Sequence, residues 1–227
     1  MLTLIIPCYN EKDNLHEIID KCEKLVNTKL IKIILVNNGS TDGSSQILNT
    51  IKNDKIYIHH IKKNIGYGNG IIEGLKQADT QFIGWTHADL QTNLEDVIQV
   101  IQILKNQKNL FIKGLRKKRN LSSNILTLCM SIIETLIFQK FLWDINAQPT
   151  IFSRQLLQEI SNPPKNFMLD LYFYVKAKKL KFEIRRFNVF FYKRKFGISN
   201  WDYNFSNRVK TIVNAIIYSI HLRIKND

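Results

Sequence analysis

Behind an apolar run, the segment GWTHADLQTN (Gly84 to Asn93) carries a histidine, an aspartate and a glutamine at every second position: His87, Asp89 and Gln91. These are three potential ligands. The oxygens of Asp89 and Gln91 suit Mg²⁺ or Mn²⁺, and an imidazole at His87 tilts the preference toward Mn²⁺ or a later metal. A second chemical feature is the cationic run Arg116, Lys117, Lys118 and Arg119, which would draw an anionic ligand toward whatever surface carries it.

The surrounding elements decide whether these groups meet. Leu2 to Ile6 and Ile31 to Val36 are short apolar runs, closed by Pro7 and by the turn-forming Asn37-Asn38-Gly39-Ser40, and both read as buried parallel strands. Between them Leu15, Ile18, Ile19, Cys22 and Leu25 follow helical spacing, with Asn10 or Asp13 available as the N-cap. The alternation continues with helices near 44–51, 68–78 and 94–104 and strands at 56–61, 82–85 and 110–113. This pattern predicts an α/β fold with a mostly parallel central sheet flanked by helices.

In such sheets ligands bind where the strands end and the helices begin. The segments 7–11, 37–42, 63–70, 87–91 and 114–119 therefore belong to one rim. A Gly-rich turn is missing after the first strand, where IIPCYNE stands, so a nicotinamide enzyme is disfavoured.

From Leu121 the pattern changes to a long helix reaching about Phe141, a Pro-containing loop at 144–149, and a short strand and helix. After Asn162-Pro163-Pro164 come a helix over 168–180, a strand region over 182–192 and a last helix near 206–224. With 227 residues and no flexible linker, the chain reads as one domain of two halves, 1–115 and 116–227. Charge divides the same way. Residues 1–110 hold 12 cationic and 12 acidic side chains, residues 111–227 hold 21 and 7, and the net charge is +14. The second half therefore favours an anionic partner: phosphate groups, an anionic membrane surface or nucleic acid.

Cys8, Cys22 and Cys129 show no paired spacing, which fits a reducing cytoplasm and no zinc site. No signal peptide is recognisable. The apolar stretch from Ile125 to Trp143 is interrupted by Glu134, Gln139 and Lys140, which argues against a transmembrane helix.

Taken in order, IIPCYNE, VNNGSTDGS, KNIGYGNG, THADLQ, KGLRKKR, DINAQPTIFSR and FGISNW resemble the motifs of nucleotide-sugar-dependent family 2 glycosyltransferases of the GT-A fold, in particular those like dolichyl-phosphate mannose synthase and bacterial surface-polysaccharide transferases. The likeness runs from Leu2 to about Trp201. It implies an inverting, metal-dependent transferase using a nucleotide-sugar donor. A divalent cation, Mn²⁺ or Mg²⁺, would stabilise the departing diphosphate.

Where relatives carry Asp-x-Asp, this chain has His87, Ala88 and Asp89 followed by Gln91. Asp89, Gln91 and His87 are then the candidate metal ligands, with His87 alternatively meeting the diphosphate or ribose. The resemblance assigns Pro7, Tyr9, Asn10, Glu11, Asn38, Gly39, Ser40, Asn64 and Gly66 to nucleotide-sugar binding, and Ser199 and Trp201 to a loop that covers the substrate. The usual Asp pair is replaced by Asn37-Asn38. An amide both donates and accepts, so it matches uracil and favours a UDP-sugar. Arg116 approaches phosphates in this scheme. Asp170 and Asp144 are the candidate bases should a sugar hydroxyl attack, whereas a polyprenyl phosphate arrives ionised and needs none.

Two helices bear wide apolar faces: Ile125, Leu128, Cys129, Ile132, Ile133, Leu136, Ile137 and Phe141 in one, Val209, Ile212, Val213, Ile216, Ile217, Ile220 and Ile224 in the other. With the nearby cations they predict peripheral contact with an anionic membrane on the cytoplasmic face and a lipid-linked acceptor. Packing against the sheet or a second subunit is the other reading of each helix. A glycan hydroxyl in surface polysaccharide synthesis is the alternative acceptor. Nucleic acid is not expected, because a basic nucleic-acid module has no use for the ordered rim motifs. A non-catalytic nucleotide-binding relative is the remaining alternative, suggested by His87 and Asn38 where acids are usual.

Overall fold

Apolar side chains alternate between two faces in the central strands. In β1 (Leu2–Cys8), Leu2, Leu4, Ile6 and Cys8 enter one core layer and Ile5 the other; in β2 (Ile31–Asn38), Ile31, Ile33 and Leu35 join the first layer and Ile34 and Val36 the second. Strands buried on both faces require helices on both sides of their sheet. The computed structural model, which describes residues 1–104, 108–195 and 205–225, has this arrangement.

The sheet has seven strands, completed by β3 (Ile56–Ile61), β4 (Phe82–Trp85), β5 (Leu110–Lys117), β6 (Thr150–Ser153) and β7 (Glu183–Phe190), in the order β3-β2-β1-β4-β6-β5-β7. On one face lie α1 (Lys12–Val26), α2 (Ser44–Leu48) and α4 (Val97–Leu104). On the other lie α3 (Tyr67–Gln77) and α6 (Leu169–Lys179), joined by Phe138 at the end of α5 (Leu121–Phe138) and Leu222 of α7 (Phe205–Lys225). Trp85, Phe152, Phe173, Phe111 and Tyr174 form the aromatic centre of this second layer, with ring centroids 5.1 Å apart for Trp85 and Phe173 and 5.7 Å for Phe111 and Tyr174.

All strand pairs are parallel except those of β6, which runs against both β4 and β5. This reversal matters for function. It brings the beginning of β6, and the loop before it, to the rim where β4 and β5 end. Gly114 makes room for that loop: a Cβ there would lie 2.2 Å from the Gln148 carbonyl oxygen.

Several element limits differ from the sequence reading for local reasons. Helix α1 starts after Glu11, because Asn10 adopts a left-handed φ of 53° and uses its side chain elsewhere. The segment 94–104 opens with a 3₁₀ turn, Leu94–Asp96, in which the Asn93 side chain accepts from the Glu95 N–H. Helix α5 stops at Phe138, where Gln139 turns left-handed at φ 52°. The helix expected after β6 is a 3₁₀ run, Arg154–Glu159.

Helix α5 packs along α7. Its buried residues are Ser131, Glu134 and Phe138, whereas Leu121 is 75% exposed and Leu136 72%. By length and composition alone α5 could cross a membrane, which the sequence reading did not grant it. Glu134 is 1% exposed and accepts from the Ser219 hydroxyl at 2.9 Å. Burial pushes its carboxyl up from 4.5 to about 7, against the opposing hydrogen bond from Ser219.

Because the folded pKa lies above the unfolded one, the native state retains a proton that the unfolded chain has lost. Stability therefore falls as pH rises from the unfolded value through about 7. Glu134→Gln removes this loss. In urea unfolding its stability relative to wild type should be higher at pH 8 than at pH 4 by about 1–3 kcal/mol; an equal difference at both pH values would refute the assignment.

Candidate active site

The loops after β1 and β2 are tied to each other by short polar side chains. The Asn10 N–H donates to Ser40 Oγ at 3.1 Å, the Thr41 N–H to Asn10 Oδ1 at 2.8 Å, and the Lys12 N–H to Asp42 Oδ2 at 3.0 Å. Gly39, at φ 74°, is pressed so close to the loop after β3 that a Cβ would lie 2.5 Å from the Asn64 nitrogen. Asn64 Oδ1 in turn accepts from the Gly66 N–H at 2.8 Å. Pro7, Tyr9, Asn10, Glu11, Asn38, Gly39, Ser40, Asn64 and Gly66 thus share one end of the sheet, as the sequence predicts.

The two asparagines of β2 are not equivalent. Asn37 is engaged internally, donating to Ser45 Oγ at 2.6 Å and accepting from the Ser40 N–H at 3.1 Å. Asn38 donates to the Gly66 carbonyl at 3.1 Å, and its buried Oδ1 has no partner.

Next to this cluster a cavity of about 770 Å³ opens at the ends of β4 and β5. It is lined by His87, Asp89, Gln91, Arg116 and Asp170, all singled out from the sequence, and by Tyr67, Arg119, Glu134, Gln148 and Arg194. Ala88 is buried beneath them, and Ser199 and Trp201 lie outside the described residues.

Asp170, 2% exposed, is the most heavily bonded group in the wall. Trp85, Thr150 and Lys113 stand opposite one another across β4, β6 and β5. All three reach its Oδ1, at 3.3 Å from the indole nitrogen, 3.3 Å from the Thr150 hydroxyl and 3.5 Å from the ammonium. Gln148 Nε2 adds a fourth contact at 2.8 Å and also donates to the Tyr67 hydroxyl at 3.1 Å. With its NH₂ facing the carboxylate, the Gln148 amide leaves Oε1 buried without a partner. Burial pulls Lys113 down to about 8, with Asp170 opposing the shift. Tyr67 is pushed well up, by burial first and then by the Asp170 and Asp89 charges, and stays protonated.

Asp144, read from the sequence as a second candidate base, is otherwise employed. The Arg116 backbone N–H donates to its Oδ2 at 3.0 Å, while the guanidinium Nε reaches Oδ1 at 2.9 Å and Nη2 makes a still closer contact. Burial acts to raise its pKa, but Arg116 outweighs burial and holds it below the ordinary value. It therefore fixes Arg116 at the cavity. Arg119 stands beside it, lowered to about 10 by burial and by the Arg116 charge, and so cationic at neutral pH.

The three potential metal ligands do not converge by themselves. Asp89 Oδ2 accepts from Arg194 Nη2 at 2.9 Å, Gln91 Nε2 donates to the Tyr192 carbonyl at 3.3 Å, and His87 stacks on Tyr67 at 5.0 Å. Among the described residues no group of three or more His, Cys, Asp or Glu side chains could hold a metal ion. Two oxygen donors and an imidazole still suit a divalent cation whose remaining positions are filled by ligand phosphates, the imidazole favouring Mn²⁺ over Mg²⁺. Sequence reasoning missed Tyr67, Gln148 and Arg194 as site residues; Gln148 lies in DINAQPTIFSR, a motif already singled out without a role for this side chain.

Residues 3–170 match the model of the family described as glycosyl transferase family 2. The chain is 31% identical over 109 residues to undecaprenyl-phosphate 4-deoxy-4-formamido-L-arabinose transferase of Yersinia pestis (strain Pestoides F), a match covering 45% of this chain and 33% of that protein. It is 29% identical over 125 residues to poly-beta-1,6-N-acetyl-D-glucosamine synthase of Staphylococcus aureus (strain MSSA476), covering 54% and 30%. The match thus spans about a third of these curated relatives. Among solved structures, glucosyl-3-phosphoglycerate synthase from Mycobacterium tuberculosis in complex with Mn²⁺, UDP and glucosyl-3-phosphoglycerate superposes with a TM-score of 0.74 at 12% identity, over 98% of this chain and 79% of that one. The likeness shows the GT-A fold.

If Lys113 supports the Asp170 carboxylate, Lys113→Met leaves a buried charge short of its cation. The variant should lose roughly 3 kcal/mol in urea unfolding at pH 7, whereas Lys117→Met, on the exposed end of β5, should lose less than about 0.5 kcal/mol.

Proposed function

The chain belongs to glycosyl transferase family 2, and from this premise we propose that it is a nucleotide-sugar-dependent, inverting glycosyltransferase that passes a sugar to a lipid-linked acceptor of the polyprenyl phosphate type. The observation that carries the reading is the convergence of Asp89, Asp170, Arg116, Arg119 and Arg194 on one cavity at the ends of the sheet strands. Carboxylates and guanidinium groups in one enclosed space suit the transfer of a neutral sugar between two phosphorylated carriers.

The nucleotide lies over the loops after β1, β2 and β3. Asn38, with its NH₂ spent on the Gly66 carbonyl and Asn64 Oδ1, is left as an acceptor for a base N–H, which uracil carries. Asp89, Gln91 and His87 would hold Mn²⁺ or Mg²⁺ together with the diphosphate oxygens. The cation supplies Lewis-acid stabilisation of the leaving group. Arg194, next to Asp89, adds positive charge on the same side.

Arg116 and Arg119 receive the acceptor phosphate. An acceptor oxygen forms the new bond to the anomeric carbon as the bond to the diphosphate breaks and its electron pair leaves with the nucleotide. A phosphate oxygen arrives ionised. A sugar hydroxyl must lose a proton, and Asp170 is the cavity carboxylate able to take it, which is the observation favouring a glycan hydroxyl as the second reading.

The outward apolar residues of α5 and α7, flanked by Lys117, Lys118 and Lys210, support peripheral docking on the anionic cytoplasmic face of a membrane. A lipid-linked acceptor would be met there.

Thermal unfolding with UDP, GDP, CDP and dTDP, each with and without Mn²⁺, tests the donor side. UDP with Mn²⁺ at a hundredfold excess over Kd should stabilise by about 2.7 kcal/mol, and Asp89→Ala should lose the Mn²⁺-dependent part. Stabilisation by none of the four nucleotides would reject the reading in favour of a non-catalytic relative, and a larger shift with GDP would reject the choice of UDP.

A further inference from the structure

The cavity continues past the reaction centre into the space between α5 and α7. There α5 lines it with Ser123, Thr127, Ser131 and Glu134, at steps of four, four and three residues, which is one face of a helix. Its opposite face carries the exposed Leu121, Ile125, Leu128, Ile132 and Leu136. The polar face is therefore turned inward, toward a space that α7 closes with Thr211, Ile212 and Ala215.

Some of these polar groups are already satisfied inside the protein. Thr127 accepts from Arg119 Nη1 at 2.6 Å and donates to the Ser123 carbonyl at 2.9 Å; Ser131 Oγ accepts from the Asp144 N–H at 3.2 Å. Glu134 is different. Ser219 donates to its Oε1 at 2.9 Å, but its buried Oε2 has no hydrogen-bond partner. A carboxyl oxygen withdrawn from water without a partner is costly, and a ligand in the cavity can supply one.

The chemistry of that ligand is constrained from several sides. A phosphate is repelled by a carboxylate and is better served by Arg116 and Arg119. An alkyl chain would leave the oxygen unpaired. A hydroxyl both donates and accepts, so it satisfies Glu134 protonated or ionised, and this carboxyl titrates close to neutrality. A sugar ring offers several hydroxyls on one side and a C–H face on the other, which matches the Leu126, Met130 and Ile145 side chains of the same wall.

We propose that the arm of the cavity between α5 and α7 is a binding subsite for a sugar unit of the acceptor, hydrogen-bonded through a hydroxyl to Glu134, so that the lipid-linked acceptor enters already glycosylated. This rests on the lipid-linked reading above and narrows it. The attacking group is then a hydroxyl of that sugar: its oxygen bonds to the anomeric carbon of the donor, the diphosphate leaves with the electron pair, and the hydroxyl proton passes to Asp170.

The test uses citronellyl phosphate and a set of citronellyl diphosphate-linked monosaccharides carrying glucose, galactose, N-acetylglucosamine or N-acetylgalactosamine. Equilibrium binding is measured on the full chain, wild type, Glu134→Ala and Glu134→Gln, with UDP binding as the control. At least one sugar-bearing lipid should bind about tenfold or more tightly than citronellyl phosphate. Glu134→Ala should weaken that lipid by about tenfold to a hundredfold and leave citronellyl phosphate and UDP unchanged within about twofold. Glu134→Gln, which keeps an acceptor oxygen and the side-chain shape, should retain part of the gain.

The inference is overturned if no sugar-bearing lipid gains over the bare phosphate, if the gain survives in Glu134→Ala, or if both variants lose UDP binding as well, which would make Glu134 a purely structural group. Transfer of label from a nucleotide-sugar separates this from the broader reading. Transfer to citronellyl phosphate as efficient as to every sugar-bearing lipid overturns the subsite but upholds a lipid-linked acceptor. Glu134-dependent binding with no transfer to any lipid upholds the subsite and overturns the lipid-linked transfer.

Discussion

A single buried carboxylate organises the working end of this protein. Asp170 has withdrawn from water, and a carboxylate in that position persists only with several donors around it. Three come from one lateral row of the sheet, Trp85, Thr150 and Lys113, and the fourth from Gln148 in the loop that enters β6. The bonds therefore lock α6 to three strands at once. They also fix the Gln148 amide and, through it, the Tyr67 hydroxyl on α3. Many polar groups of the cavity wall satisfy one another, while the buried Gln148 Oε1 and Glu134 Oε2 are left without a partner.

The cationic side of the cavity is built differently. Arg116 is aimed by Asp144, and the carbonyls of Gly114 and Trp143, at either end of that arrangement, both receive Arg186 from β7. Arg194 comes from the segment after β7 and is drawn to Asp89, while the Tyr192 backbone pairs with Gln91 at 2.7 Å. Through Arg194 and Tyr192 the basic second half of the chain meets the charge-balanced first half at the cavity. Arg116, Arg119 and Arg194 place three of its cations where phosphate chemistry is proposed.

Helices α5 and α7 resolve a conflict between solubility and access. Their inward faces are hydroxyl-bearing and include a carboxyl, and their outward faces are apolar. This is the reverse of the order that buries a helix on a soluble core. A helix of that kind gives up hydrophobic burial within the chain and leaves apolar surface for an outside phase. The exchange is intelligible if the cavity between the helices must stay polar for its ligand while their outer faces meet lipid.

The residues alone determined much of this. The limits 56–61 and 82–85 of β3 and β4 were legible because short runs rich in β-branched and aromatic residues, bounded by polar and turn-forming ones, leave little choice. The gathering of the rim segments followed from the alternation of strand and helix. What the chain could not disclose locally was direction and partnership. Nothing within Thr150–Ser153 states that β6 runs against its neighbours, because strand direction is set by the sheet it joins. Arg194 and Asp89 are 105 residues apart, and Ser219 and Glu134 are 85 apart. Glu134 read along the chain is merely an interruption in an apolar helix; only the tertiary structure, by placing α7 and a cavity against it, made it a buried acid with one oxygen unpaired, since desolvation and hydrogen bonding depend on neighbours in space and not in sequence.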